Sequence, residues 1–237
     1  VFFHLSEKIT AKQIPSVIND INPELVNCYQ MVKTQTDDLI SLLKTHKHDK
    51  NYYLEIRNLD RQEGGLSVLN PLERASRFIY LNRTGFNGMY RVNSKGLNNV
   101  PFGRYKNPSI VNEDVLRASA KALTDTQISN QSFQDCLSNA RRGDFVYLDP
   151  PYVPLNDTSY FTTYMTSGFS MTDQKSLAAI VTELDKRGVV FVASNAFLPV
   201  VRELYHGFRQ IEVKAKRAIN SQGHKRSPIS ELLVTNR

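Results

Sequence analysis

Four consecutive residues, Asp149-Pro150-Pro151-Tyr152, carry the chemistry most open to reading in this chain. They follow an apolar run, Phe145-Val146-Tyr147-Leu148, that reads as a buried strand. Two prolines end such a strand, because each lacks a ladder donor and fixes φ. The chain therefore stops at the strand's carboxyl end, where open α/β sheets bind ligands. It presents a carboxylate, a stiff backbone with carbonyls but no N–H groups, and an aromatic ring. That set suits a flat heterocycle bearing an exocyclic amine. The amine donates to Asp149 and to the Pro150 carbonyl, and the ring stacks on Tyr152. The plain structural alternative is a Pro-Pro turn with an incidental tyrosine.

A second acidic position lies early in the chain. In Ser16-Val17-Ile18-Asn19-Asp20-Ile21-Asn22-Pro23-Glu24-Leu25, Val17 and Ile18 suit a short strand. Asn22 suits an N-cap, Pro23 a first helical residue, and Glu24 the positive end of the helix dipole. Asp20 thus falls where a strand gives way to a helix, the place for an acid that accepts from a ribose diol. A second helix-capping acid is the competing reading.

The third region is a long basic stretch, residues 82–107. It contains Arg83, Arg91, Lys95, Arg104 and Lys106, the rings of Phe86, Tyr90, Phe102 and Tyr105, and no acid. Ser94-Lys95-Gly96 reads as a hairpin turn. An arginine reads guanine bidentately, asparagine reads adenine, and a ring such as Phe86 or Tyr90 wedges between bases. A solvated basic hairpin is the bland reading. A second basic loop is expected around Lys214-Ala215-Lys216-Arg217 and Ser221-Gln222-Gly223-His224-Lys225-Arg226.

The elements that position these residues follow from periodicity and caps. Residues 24–48 read as helices, with Leu39, Ile40, Leu42 and Leu43 as an apolar face. Thr45-His46-Lys47-His48-Asp49-Lys50 reads as a solvated helix end. A loop surrounds Gly64-Gly65. Asn70-Pro71 then opens a helix with Leu72, Ala75, Phe78, Ile79 and Leu81 as its apolar face. Ser170-Met171-Thr172-Asp173 opens another, striped by Leu177, Ile180, Val181 and Leu184 and closed by Gly188. Strands are predicted at Val189–Ala193, 210–213 and 231–234, with a helix over 199–205. The βα pattern is interrupted by the helical stretch, which predicts an insertion into an α/β domain.

The 237 residues suffice for one large domain with an insertion. A formal charge of +7, with 12 Phe and 11 Tyr but no Trp, favours a polyanionic partner with stackable bases. Cys28 and Cys136 form no disulfide framework, which points to a reducing compartment. No apolar stretch approaches a membrane span, and no secretory signal is visible.

Taken in chain order, Asn19-Asp20-Ile21-Asn22, Asn82-Arg83 through Phe86-Asn87-Gly88 to Arg91, Val100-Pro101-Phe102-Gly103-Arg104-Tyr105, Ser132-Phe133, Asp149-Pro150-Pro151-Tyr152 and Ser194-Asn195 resemble the Dam-type DNA adenine-N6 methyltransferases. The resemblance implies an α/β, Rossmann-like S-adenosylmethionine-dependent methyltransferase sheet. Residues 1–22 and 112–237 would form the catalytic domain, and 23–111 an inserted, mainly helical target-recognition domain carrying the basic hairpin 82–107. It implies S-adenosylmethionine as cofactor, no metal, and duplex DNA as partner, with methyl transfer to a flipped adenine in GATC. Asp149, Pro150, Pro151 and Tyr152 would be catalytic. Asp20 would hold the cofactor ribose and Phe133 line its adenine pocket, with Ile21, Ser132 and Asp149 also touching it. Arg83, Phe86, Asn87, Met89, Arg91, Asn93, Pro101, Arg104 and Tyr105 would contact DNA. The resemblance further implies a cytoplasmic protein, bacterial or phage-encoded, with a cognate restriction endonuclease as a genetic partner. The family pattern also includes a Lys-Trp-Gly-Gly-Lys-like segment and a Phe-x-Gly-x-Gly loop ahead of the helix that Val1-Phe2-Phe3 resembles, so a strand, a loop and a helix are expected upstream. Thr84 and Phe86 stand where many members carry Tyr. Two rival functions share parts of this pattern: N-methylation of RNA or of a protein glutamine, and DNA binding without catalysis.

Overall fold

The computed structural model describes residues 1–153, 169–215 and 229–237. They form an α/β protein in two compact units, Val1–Phe133 and Gln134–Arg237.

In the first unit, α1 (Phe2–Ala11) precedes β1 (Ser16–Asn19), and β1 pairs in parallel with β2 (Thr126–Ser129). Between them run α2 (Pro23–Thr34), α3 (Thr36–Leu43), α4 (Lys50–Asn58), α5 (Pro71–Thr84) and α6 (Glu113–Leu123). The start signals work as expected. The Asn22 side chain accepts from the N–H groups of Glu24 and Leu25, and Pro23 follows it. Asn70 and Glu73 form a reciprocal capping box. Leu39, Leu43, Ala75 and Leu123 are fully buried in one cluster with Cys28, Met31 and Val32. A second cluster joins Tyr53, Tyr80 and Leu81.

In the second unit, α7 (Phe133–Ser138, its first residue closing the first unit) leads to β3 (Phe145–Leu148). Then come α8 (Met171–Lys186), β4 (Val190–Ala196), α9 (Pro199–Leu204), β5 (Arg209–Ala215) and β6 (Ile229–Thr235). The sheet order is β3-β4-β6-β5, with β3 and β4 parallel and the last two strands antiparallel. Ser170 and Asp173 cap α8 reciprocally, and Gly188 takes φ +76° just past its end. Leu177, Val181, Leu184, Val189, Phe191, Leu232 and Val234 are buried.

Several expectations are corrected. The strand Phe145–Leu148 is not buried: Phe145 is 52% and Tyr147 38% exposed. Among the described residues it pairs only with β4, and its side chains alternate between a more and a less covered face. The segment around His46 and His48 is not a solvated helix end. His46 bonds Tyr52 Oη through Nδ1 (2.8 Å) and Ser76 Oγ through Nε2 (2.9 Å), and stacks on Tyr80. His48 Nε2 donates to the Tyr105 carbonyl (2.9 Å), and its ring stacks on Phe102. The buried face of α5 is also less apolar than its periodicity predicts. It includes Ser76, Arg77 and Thr84, because Arg77 satisfies the open carbonyls of Ile56 and Arg57 at the end of α4. Of the second basic loop, only Lys214 and Ala215 fall within the described residues; residues 216–228 lie outside them.

Candidate active site

The Asp149 corner forms where β3 ends, and β4 supports it from the adjacent parallel register. Ser194, on β4, donates its hydroxyl to Asp149 Oδ1 at 2.7 Å. Asp149 Oδ2 has no hydrogen-bond partner among the described residues, and the carboxylate is exposed. The Pro151 carbonyl accepts from Gln174 Nε2 at 2.9 Å, and Gln174 Oε1 in turn accepts from Asn195 Nδ2 at 3.1 Å. Gln174 and Asn195 are both buried, so each needs the partner the other provides. The neighbouring Pro150 carbonyl is left without a donor among the described residues, and Pro150 is only half-buried. Two acceptors on consecutive residues, Asp149 Oδ2 and Pro150 O, are thus without a donor among the described residues. Tyr152 is 37% exposed, and its hydroxyl reaches Glu231 Oε2 at 3.4 Å. Burial chiefly, reinforced by the charges of Glu231 and Asp149 against a lowering bond from Ser194, pushes its phenol above the ordinary tyrosine value. The ring is a neutral platform. Gln174 carries no mark in the sequence beyond lying one residue past a capping box.

The first unit holds the other acidic corner. Asp20 follows β1, its N–H donating to the Ser129 carbonyl on β2. Asp20 Oδ1 accepts from the Asn22 N–H at 2.7 Å, and its other oxygen has no partner among the described residues. Asn19 ties this corner to the next. Its side-chain amide donates to the Gln131 carbonyl (3.0 Å) and accepts from the Gln131 N–H (3.0 Å) and the Ser129 hydroxyl (2.8 Å). Asn130 Nδ2 donates to the Asp20 carbonyl at 2.8 Å. The carboxyl ends of the two parallel strands are therefore stitched together, which sets Asp20 and Ile21 beside the turn leading to Ser132 and Phe133. Ile21 is 71% exposed. A half-buried carboxylate with one open oxygen beside an exposed aliphatic residue fits the ribose and base of a nucleoside cofactor.

The basic stretch keeps its charged side chains exposed on a backbone anchored by buried Thr84, Asn98 and Val100. After α5, Gly85 pairs with Phe102, the Phe86 N–H donates to the Pro101 carbonyl (2.8 Å), and the Gly103 N–H donates to the Thr84 carbonyl (2.8 Å). Phe86 and Pro101 are thereby neighbours although separated in sequence. Asn87 adopts φ +55°, which turns the chain outward. The hairpin closes as expected: Val92 pairs with Asn98, and Gly96 takes φ +74°. Arg83, Phe86, Asn87, Arg91, Asn93, Pro101, Arg104 and Tyr105 are exposed, and Met89 is half-buried. The structure brings these nine residues onto α5's end, the hairpin and the following loop.

In one unit a carboxylate and a ring stand where a strand ends in two prolines, and in the other lies a cation-rich, ring-bearing surface. The sequence matches the family model of the D12 class N6 adenine-specific DNA methyltransferases over residues 1–219. The chain belongs to that family, and its α/β fold is the one expected of an S-adenosylmethionine-dependent methyltransferase. It is 43% identical over 225 residues to a Type II methyltransferase of Lactococcus lactis subsp. cremoris, covering 93% of this chain and 79% of that protein. It is 39% identical to a Type II methyltransferase of Methanocaldococcus jannaschii, covering 100% of this chain and 84% of the other. It is 37% identical to the DNA adenine methylase of Serratia marcescens, covering 93% and 82%. Among the described residues no helix is long and apolar enough to cross a membrane.

Proposed function

We propose that this protein transfers a methyl group from S-adenosylmethionine to N6 of an adenine flipped out of duplex DNA, within GATC. The observation that carries this reading is the open pair of acceptors, Asp149 Oδ2 and Pro150 O, beside the neutral ring of Tyr152. An adenine amine is a poor nucleophile because its lone pair is delocalised into the ring. Its two N–H groups donate to Asp149 and to the Pro150 carbonyl, which turns the lone pair toward the methyl. Ser194 orients the carboxylate, and Gln174 keeps the prolyl backbone in place. When bound, the cofactor supplies a methyl group on a sulfonium, which needs no further activation of its leaving group. With the cofactor held there, methyl transfer to N6 would release one amine proton, which Asp149 or water would accept. Orientation and electrostatics are the protein's contribution.

Asp20 takes the ribose hydroxyls and Phe133 lines the adenine pocket of the cofactor, with Ile21, Ser132 and Asp149 also in contact. Extruding the target base costs a few kcal/mol. Stacking on Tyr152 returns about 1–3 kcal/mol, and Phe86 fills the vacated space. Arg91 and Pro101 read outer bases of the site; Asn87 and Met89 contact nearby, while Arg83, Asn93, Arg104 and Tyr105 fasten the strand. Residues 23–111 act as the recognition insertion within a catalytic domain of residues 1–22 and 112–237. Relatives named as Type II methyltransferases support a cognate restriction endonuclease as a genetic partner.

The test is product analysis after incubating the intact gene product with S-adenosylmethionine and duplexes of defined sequence. N6-methyldeoxyadenosine in GATC duplexes, and at least about tenfold less in duplexes altered at one base pair, is the expected result. Methylation of RNA or protein instead would overturn it.

A further inference from the structure

The hairpin is not an independent ribbon, because its returning limb is locked to α4 and the 3-10 turn after it, Leu59–Arg61. Asp60, whose side chain is 6% exposed, accepts from the Asn98 N–H (2.8 Å), from Arg77 Nη2 (2.9 Å) and from Arg61. Arg61 also donates to the Asn98 carbonyl. Two residues on, the Val100 carbonyl accepts from Tyr53 Oη (3.0 Å) and Arg57 Nη1 (3.2 Å). Asn98 and Val100 are buried, and Asn99 between them points the other way. There it meets Arg91 across the hairpin. Arg91 Nε donates to Asn99 Oδ1 (2.7 Å) and Nη2 to the Asn99 carbonyl (3.2 Å). Arg91 Nη1 has no partner among the described residues.

We infer that Asn99 is a specificity-positioning residue: anchored through Asp60, it holds the Arg91 guanidinium by its Nε side and leaves the Nη1–Nη2 end to read a base. The inference deepens the proposed function and rests on its assignment of Arg91 to base reading. An exposed arginine otherwise samples many rotamers, and ordering it on contact with DNA costs free energy that a fixed side chain avoids. The fork geometry of guanidinium and guanine rewards the fixed orientation. Asn99 is only half-buried and its side chain bonds only Arg91 among the described residues, so Asn99→Ala is milder to folding than any change at buried Asp60.

The experiment is a double-mutant cycle, with kcat/KM measured on a cognate duplex and on duplexes altered at each base pair of the site. Asn99→Ala is expected to reduce discrimination about tenfold, at the same base pair that Arg91→Ala affects. The double variant should be no worse than Arg91→Ala alone. Asn99→Asp, which keeps the acceptor, should retain discrimination. Multiplicative losses in the double variant, or an equal loss on every duplex from Asn99→Ala, would overturn the inference. If Arg91→Ala itself lowers all duplexes equally, base reading by Arg91 fails. Non-additivity in the same cycle still upholds the Asn99–Arg91 coupling, and additivity still rejects it.

Discussion

Asp149 is secured through one oxygen and open at the other, and Tyr152 offers a ring beside it. The role assigned to that ring is stacking, so the hydroxyl is dispensable. Tyr152→Phe should keep kcat within a few-fold, while Tyr152→Ala should lose about 5–150-fold, the kinetic equivalent of 1–3 kcal/mol. Because burial raises the phenol's pKa, the ring stays neutral through physiological pH, and Tyr152→Phe should leave the pH–rate profile between pH 6 and 9 unchanged in steady-state assays. The corner was legible in the sequence because prolines and a strand constrain one another locally. Its support was less so: Ser194 was read only as part of a motif, and nothing local marks Gln174, which reaches the Pro151 carbonyl from α8. Asn19 was read only as part of a motif, and its stitching of β1 to β2 depends on the parallel register.

Helices announced by caps were readable: Asn22-Pro23, Asn70-Pro71 with Glu73, and Ser170 with Asp173 all open helices where expected. The helix α4 escaped, since Tyr53 is its one buried residue and its sequence, Lys50 to Asn58, is mostly polar. Strand β2, Thr-Gln-Ile-Ser, is too short and polar to stand out. The polar ties between these helices have measurable consequences. His46, between the hydroxyls of Tyr52 and Ser76, is held by burial down to a pKa of about 4, against an ordinary value of 6.5. The unfolded chain therefore binds more protons between pH 6.5 and 4, and stability falls as pH drops through that window. Thermal melts of the protein should decline across it, by on the order of 2–3 kcal/mol for this group. His46→Gln should flatten that decline. Asp60→Ala strands Arg77 without its carboxylate and should cost about 3–5 kcal/mol in denaturant unfolding. A loss below 1 kcal/mol would mean that the buried network contributes little.

At the scale of the whole molecule, the charge of +7 and the acid-free stretch 82–107 suit a polyanionic substrate, and the proposed function has them engage the DNA backbone before any base is read. With about four phosphates neutralised, DNA affinity should fall roughly 10²-fold between 50 and 200 mM salt, as measured by fluorescence anisotropy. A flat salt dependence would remove the backbone contacts from the account. The two units, Val1–Phe133 and Gln134–Arg237, were not foreseen as such, because a compact unit is set by packing between segments far apart in sequence. The central claim is that Asp149 accepts the adenine amine. Its most direct measurement is single-turnover methyl transfer by Asp149→Ala in the intact gene product, with DNA affinity determined alongside. N6-methyldeoxyadenosine is expected to vanish while the DNA dissociation constant moves by no more than a few-fold. Substantial transfer by that variant would contradict the claim.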